Sequence, residues 1–148
     1  MKLTQRATIA APIDRAWALV MDLQRAAACV PGVKGLTKIA PDRYRGSLPI
    51  QLGPVRLSLE GELIVSARDD AARCATLRAD AKDARLGGSV RATIEIVLAE
   101  AAVGCELRVD GDVNIAGRIG EFGQPVIQRK ADQLLRQMTD CLGRIAAS

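Results

Sequence analysis

Over most of this chain hydrophobic side chains recur at every second position. Leu3, Ala7 and Ile9 share one side with Gln5, and Thr4, Arg6 and Thr8 take the other, which predicts a strand. Ala11-Pro12 interrupts it, and Ile13, Trp17, Val20 and Met21 then fall on a helical stripe. Residues 23–29 continue as a second short helical stretch, stopped by Val30-Pro31-Gly32. From there the period returns to two. Residues 33–40 and 43–48 predict a hairpin around Pro41-Asp42, and Gly53-Pro54 breaks the chain. Leu57, Leu59, Leu63 and Val65 form the next strand, followed by a turn at Arg68-Asp69-Asp70. Ala75, Leu77 and Ala79 precede a charged loop over 82–88, and Val90, Ala92, Ile94, Ile96 and Leu98 make the clearest alternation. Cys105, Leu107, Val109, Val113 and Ile115 make the last strand.

The final segment changes period again. Ile127, Ala131, Leu134, Leu135, Met138, Leu142 and Ile145 lie on one stripe of a helix predicted over 126–145, with Gln128, Arg129, Asp132, Gln133, Arg136 and Asp140 off it. Twenty helical residues span roughly 30 Å, enough to cross a small domain. Seven strands joined by hairpin-length links predict an antiparallel meander with one buried and one wet face. A sheet with an apolar face must be covered, and this helix is the cover of sufficient length. The expectation is one α+β domain over residues 1–148, with no repeat or interior linker.

Composition narrows the function. There is no histidine, which removes the commonest general base, the commonest metal ligand and the usual partner of a nucleophilic Ser or Cys. No cluster of carboxylates and thiols takes its place, so no metal and no cofactor are expected. Trp17, Tyr44 and Phe122 are the only aromatic residues, too few and too scattered to stack nucleic-acid bases. Cys29, Cys74, Cys105 and Cys141 lack C-x-x-C spacing. The N-terminus carries no signal-peptide pattern and no apolar run reaches a membrane span, which places the chain in the cytoplasm. There, the four cysteines read as buried free thiols. Charge is uneven: residues 1–45 hold eight Lys or Arg against three Asp, residues 46–125 nine against twelve acids, and residues 126–148 four against two. Basic terminal segments allow weak steering to an anionic membrane surface or an acidic partner, and otherwise read as a solvated surface.

Several short motifs, taken in order, point to a family. Ala11-Pro12-Ile13 is followed by Trp17 and Asp22, Cys29-Val30-Pro31-Gly32 resembles a C-[IV]-P-G motif, and Gly53-Pro54-Val55 is followed by Gly61. Gly117-Arg118-Ile119-Gly120-Glu121-Phe122-Gly123 precedes the helix, resembling a G-x-[LI]-x-x-x-G approach. In this order they resemble the CoxG-like family, named for the G subunit of carbon monoxide dehydrogenase, within the SRPBCC or START-like superfamily. The resemblance implies the helix-grip (START/Bet v 1-like) fold, a curved seven-stranded antiparallel sheet around a long C-terminal helix with two short helices after the first strand. It also implies an apolar, lipid- or quinone-like ligand held under that helix. It further implies service to a molybdenum-hydroxylase-type dehydrogenase and peripheral contact with the inner face of the membrane. Some members extend beyond the helix to an apolar tail, whereas this sequence stops at Ser148, so any membrane role is expected to be peripheral.

Inward strand positions and the helix stripe should face each other, which selects Leu59, Leu63, Ile94, Ile96, Leu107, Val109, Phe122, Ile127, Leu134, Leu135 and Met138 as cavity lining. The competing reading is a filled core. Trp17 is the remaining candidate contact, with anchoring of the first helix as its alternative role. Pro31 and Gly32 are expected at the cavity mouth, and Gly117, Gly120 and Gly123 as a hinge or a plain turn-rich connection before the helix. No catalytic residue is assigned. Glu60, Glu62, Glu95, Glu106, Asp110 and Asp112 are expected to point outward unless the register slips by one residue, and Tyr44 is a possible acid but reads as a strand surface residue. Three functions fit: a carrier or accessory protein, a polyketide cyclase or aromatase on the same fold, and an interaction module with a filled core.

Overall fold

The computed structural model of the protein describes residues 1–33 and 35–148. Its elements run β1 (Lys2–Ile9), α1 (Ile13–Met21), α2 (Leu23–Ala27), β2 (Leu36–Ala40), β3 (Arg43–Leu52), β4 (Val55–Asp69), β5 (Cys74–Lys82), β6 (Gly88–Glu100), β7 (Cys105–Gly117), a 3-10 helix (Arg118–Phe122) and α3 (Gln124–Ala147). All seven expected strands and all three expected helices are present. The strand expected over 33–40 includes Lys34, which lies outside the described residues, and β2 itself begins at Leu36. Helix α3 starts at Gln124, two residues before the predicted start at 126, because Pro125 sits comfortably in a first helical turn.

The strands form one antiparallel sheet in the order β1-β7-β6-β5-β4-β3-β2. Each link from β2 to β7 is a hairpin, and α1 and α2 carry the chain from β1 to the opposite edge. β4, β6 and β7 are 15, 13 and 13 residues long, beyond the usual 3–10, so they must bend and coil rather than lie flat. Gly61 marks one bend: a Cβ there would lie 1.8 Å from the carbonyl oxygen of Asp80 on β5. Only a residue without a side chain allows that approach.

Register aligns the apolar residues of neighbouring strands on one face. Leu77 pairs with Ile94, Ile96 with Val109, and Leu98 with Leu107. At one end of this face Ile9, Leu107, Val109, Leu77 and Leu98 pack with Ala16, Trp17 and Val20 of α1 and with Leu142 and Ala146 of α3 in a closed core. Trp17 also ties α1 to the β4–β5 turn, its indole N–H donating to Asp70 Oδ1 at 2.9 Å. α3 runs along β1: Gln128 Nε2 donates to the Lys2 carbonyl at 3.0 Å, and Arg15 Nη2 of α1 donates to the Ala146 carbonyl at 2.6 Å.

The cysteine expectation is corrected here. Cys29 and Cys141 form a disulfide, with Cα atoms 5.5 Å apart, and only Cys74 and Cys105 are free. Their separation of 112 residues hides the pairing from any reading of local spacing. The fold lays the end of α2 beside the penultimate turns of α3, and that places the two side chains within bonding geometry.

Candidate functional site: an apolar cleft beneath the C-terminal helix

The inner face of the sheet is not uniformly packed. Beyond the closed core, a second, smaller apolar cluster gathers Leu52, Leu57 and Ile119, with Leu59, Val90 and Phe122 packed against it. Between the two clusters the inward positions carry small side chains. Gly46 faces Gly61 across β3 and β4, Gly61 faces Ala81, and Ala79 faces Ala92, which in turn faces Val113. All of these are half-buried. On the helix side Ile127, Ala131 and Leu134 are also half-buried and belong to neither cluster. This floor of glycine and alanine faces a helix stripe of larger apolar side chains, and small residues fill less volume than rings and long aliphatics would.

One pocket lies beside the first turn of α3, and of the floor positions Val113 borders it. This pocket of about 260 Å³ is lined by Val113 and Ile115 of β7, Gly120 of the 3-10 helix, Gln124 and Ile127 of α3, and by Met1 and Asn114. A second hollow, of about 480 Å³, lies over β2–β4, where Gly35, Gly46 and Gly61 leave backbone uncovered and Thr37, Arg45, Ser47 and Glu60 form a polar rim. Its chemistry differs from that of the apolar cleft.

The residues selected from the sequence divide along this boundary. Leu63, Ile94, Leu135 and Met138 are half-buried against the closed core, Leu59 and Phe122 are half-buried against the smaller cluster, Ile127 and Leu134 are half-buried outside both, and Trp17, Ile96, Leu107 and Val109 are buried in the closed core. The floor residues Gly46, Ala79, Ala81 and Ala92 are missing from that selection. Ala79 and Ala92 lie on the same period-two alternation as the chosen leucines and isoleucines, so the signal is present in the sequence, but choosing by side-chain size passes over it. Tyr44 is a correction. It pairs with Leu63 and packs against the closed core, so it lies on the inner face rather than on the strand surface.

The acidic residues hold their outward register. Asp110 accepts from Thr4 Oγ1 at 2.8 Å and pairs with Arg108, Asp112 pairs with Lys2, Glu106 with Arg6, and Glu62 with Arg45. Glu60 and Glu95 are exposed. Among the described residues no group of three His, Cys, Asp or Glu could hold a metal.

The segment leading into α3 is anchored at its start. Gly117 and Gly88 both have positive φ and face each other so closely that a Cβ on Gly117 would lie 2.7 Å from the Gly88 Cα. The Arg118 amide donates to the Gly87 carbonyl at 2.9 Å, and Ile119 is buried, so the segment expected as a hinge or turn begins as an anchored 3-10 helix. Gly120 is exposed, and Gly123 takes φ +88° as the residue before α3. Pro31 and Gly32 are exposed, with Gly32 beside Pro49 of β3.

Asp83 secures the neighbouring β5–β6 loop. Only 3% exposed, it accepts backbone N–H bonds from Ser58, Arg85 and Leu86 at 2.8–3.0 Å. The amide of Leu86, then those of Ser58 and Arg85, hold its carboxyl below the usual carboxylate range, while burial pushes it up. A depressed carboxyl contributes stability above its unfolded pKa, and that contribution is lost as pH falls through the folded value. The expected result is a melting temperature that drops below about pH 4. In Asp83→Asn the melting temperature is lower at pH 7 and falls less steeply in acid, as a thermal-melt series from pH 7 to 3 would record.

Residues 6–147 match the family described as the G subunit of carbon monoxide dehydrogenase (CoxG). The chain belongs to the CoxG family. No curated protein matches it. Among solved structures, a conserved protein from Geobacillus kaustophilus is similar with a TM-score of 0.88 at 19% identity, over 99% of this chain and 95% of that one. A START superfamily protein from Mycobacterium smegmatis has a TM-score of 0.68 at 14% identity, over 98% and 96% of the two chains. The Zhui aromatase/cyclase from Streptomyces sp. R1128 has a TM-score of 0.67 at 14% identity, over 99% and 93%. These likenesses establish the START-like helix-grip fold for this CoxG-family chain. No helix among the described residues is long and apolar enough to cross a membrane.

Proposed function

We propose that this CoxG-family chain is a non-catalytic carrier or accessory protein that holds a flexible apolar molecule, lipid- or quinone-like, between the sheet and α3. The observation that supports this most directly is the band of half-buried inward positions, from Gly46 and Gly61 to Ala92 and Val113, between two packed apolar clusters. Water against such a surface is replaced favourably by an apolar ligand, at about 25 cal/mol per Å² buried before association costs. Aliphatic walls suit a flexible chain, and the mouth beside Gln124 and Gly120 leaves a polar head in contact with solvent. Family membership supports service to an aerobic CO dehydrogenase-type molybdenum hydroxylase, with the anionic inner membrane face as a peripheral site of exchange.

The cyclase reading draws on one observation, the inward position of Tyr44. Among the described residues the inner face carries no carboxylate free to act with it: Asp83 is committed to three backbone amides, and the strand acids point outward.

The test is titration with a fluorescent fatty acid and with a short-tailed ubiquinone analogue. Saturable one-to-one binding is expected. Leu134→Trp, which fills the cleft from the helix side, is expected to weaken it at least about tenfold, equivalent to about 1.4 kcal/mol, with little change in melting temperature. Absence of saturable binding of either probe to the unsubstituted protein would sink the carrier reading.

A further inference from the structure

The disulfide ties α3 to the segment just past α2, at the closed-core end of the helix: Cys29 is part of that core and Cys141 packs against it. Cys29 is buried, just past α2, in the connection leading to β2 and β3. Cys141 lies on α3, on the same flank as Leu134 and Ile127: successive positions seven residues apart return to nearly the same side of a helix. On the opposite flank α3 is held along β1 by non-covalent contacts, including the Gln128 bond to the Lys2 carbonyl. The helix therefore has a non-covalent seam on one side and a covalent clasp on the other. Its C-terminal half is buried through Thr139, Leu142 and Ala146, and its N-terminal half, over the cleft, has no buried residue.

We propose that the Cys29–Cys141 disulfide is a redox clasp that sets how readily α3 lifts from the sheet, and so how fast the cleft exchanges its occupant. This rests on the cleft being the binding site, as proposed above. The two sulfurs are unequally placed: Cys29 is buried and Cys141 half-buried. A dithiol reductant attacks the more accessible Cys141 sulfur as its thiolate. The S–S bond breaks, Cys29 leaves as a thiolate and takes a proton, and a mixed disulfide forms at Cys141. The second thiol of the reductant resolves it, releasing Cys141 as a thiol. The balance is one disulfide reduced to two thiols and one dithiol oxidised to a disulfide, with two electrons and two protons transferred. Reduction removes the tie on the α2 side only. The helix stays attached along β1 and through Leu142 and Ala146 and can pivot about that seam, and its N-terminal half, which buries no residue, then moves most.

The experiment uses the full chain, purified without reductant, before and after treatment with dithiothreitol and after reoxidation. Thiol titration of the denatured protein is expected to find two free thiols before reduction and four after. The dissociation rate of a fluorescent fatty acid, measured by stopped flow, is expected to rise at least about tenfold on reduction and to return on reoxidation. Hydrogen exchange is expected to be faster in the reduced state, with the largest change across 124–138 and a smaller one around Cys141, where the bond is released. Cys29→Ser/Cys141→Ser should behave as the reduced protein regardless of reductant, while Trp17 emission reports that each form is folded. Four free thiols in the untreated protein, or equal exchange over 124–138 in both redox states, would overturn the clasp. If the probe binds neither form, the carrier reading fails, and hydrogen exchange still decides whether the helix is clasped.

Discussion

Leu107→Ala is expected to cost about 2–5 kcal/mol of unfolding free energy, while Leu59→Ala on the same face of the sheet costs less than about 1 kcal/mol. Leu107 is 0% exposed and is surrounded by the closed core of α1, α3 and β6–β7. Truncating it removes buried methyl groups and leaves a cavity that close-packed neighbours cannot fill. Leu59 is half-buried at the rim of the second cluster, so its truncation removes little packed volume. The order reverses for ligand binding, where Leu59→Ala weakens the fluorescent fatty acid and Leu107→Ala does not, provided the latter is measured where it is still folded. Urea unfolding and probe titration of both variants check this split. Equal stability losses at the two positions would mean that the inner face is filled throughout, and the carrier proposal would lose its physical basis.

Breaking the clasp is expected to have the other large effect. Cross-linking residues 112 positions apart removes conformational freedom from the unfolded chain. In the chain-entropy picture a loop of about 100 residues is worth about 4.7 kcal/mol, with measured losses of about 2–5. A domain of ordinary stability, about 5–15 kcal/mol, would remain folded but with a smaller margin. Guanidinium unfolding with and without dithiothreitol should therefore show the midpoint moving down on reduction, and Cys29→Ser/Cys141→Ser should match the reduced protein. Unchanged midpoints would mean that the two cysteines are not paired in solution. Trp17 emission unchanged on reduction would show that the closed core persists, which separates the functional from the structural consequences of reduction, as control of ligand exchange by the clasp requires.

Much of the architecture follows from local rules. Period-two alternation is enough to tell that Ile94, Ile96 and Leu98 share a face, because successive side chains of a strand must point to opposite sides. The same rule keeps Glu62, Glu106 and Asp110 outward, since a one-residue slip would have buried the whole charged set. The stripe from Ile127 to Ile145 demands a long amphipathic helix, and Pro125 only adjusts its start. The motifs around Pro31-Gly32 and Gly117–Gly123 suffice to indicate the family.

What the chain folds against itself lies outside those rules. Leu59 and Leu107 look alike in the sequence, two leucines at inward strand positions, yet one is half-buried beside the smaller cluster and the other is sealed in the closed core. The difference comes from where α1, α2 and the second half of α3 cover the sheet. Tyr44 faces inward because of its pairing with Leu63, which no local property of a lone tyrosine reveals. Asp83 is structural because a tight loop turns three amides toward it. Cys29 and Cys141 have no local signature, and their bond exists because the sheet carries the chain around to bring α3 beside the end of α2. The elements, their faces and their order are written into the amino-acid pattern, because periodicity and backbone sterics act between near neighbours. Which part of the apolar face is fully buried, which part is only half-buried and which cysteines meet emerge only on folding, because they depend on distances between residues far apart in the chain.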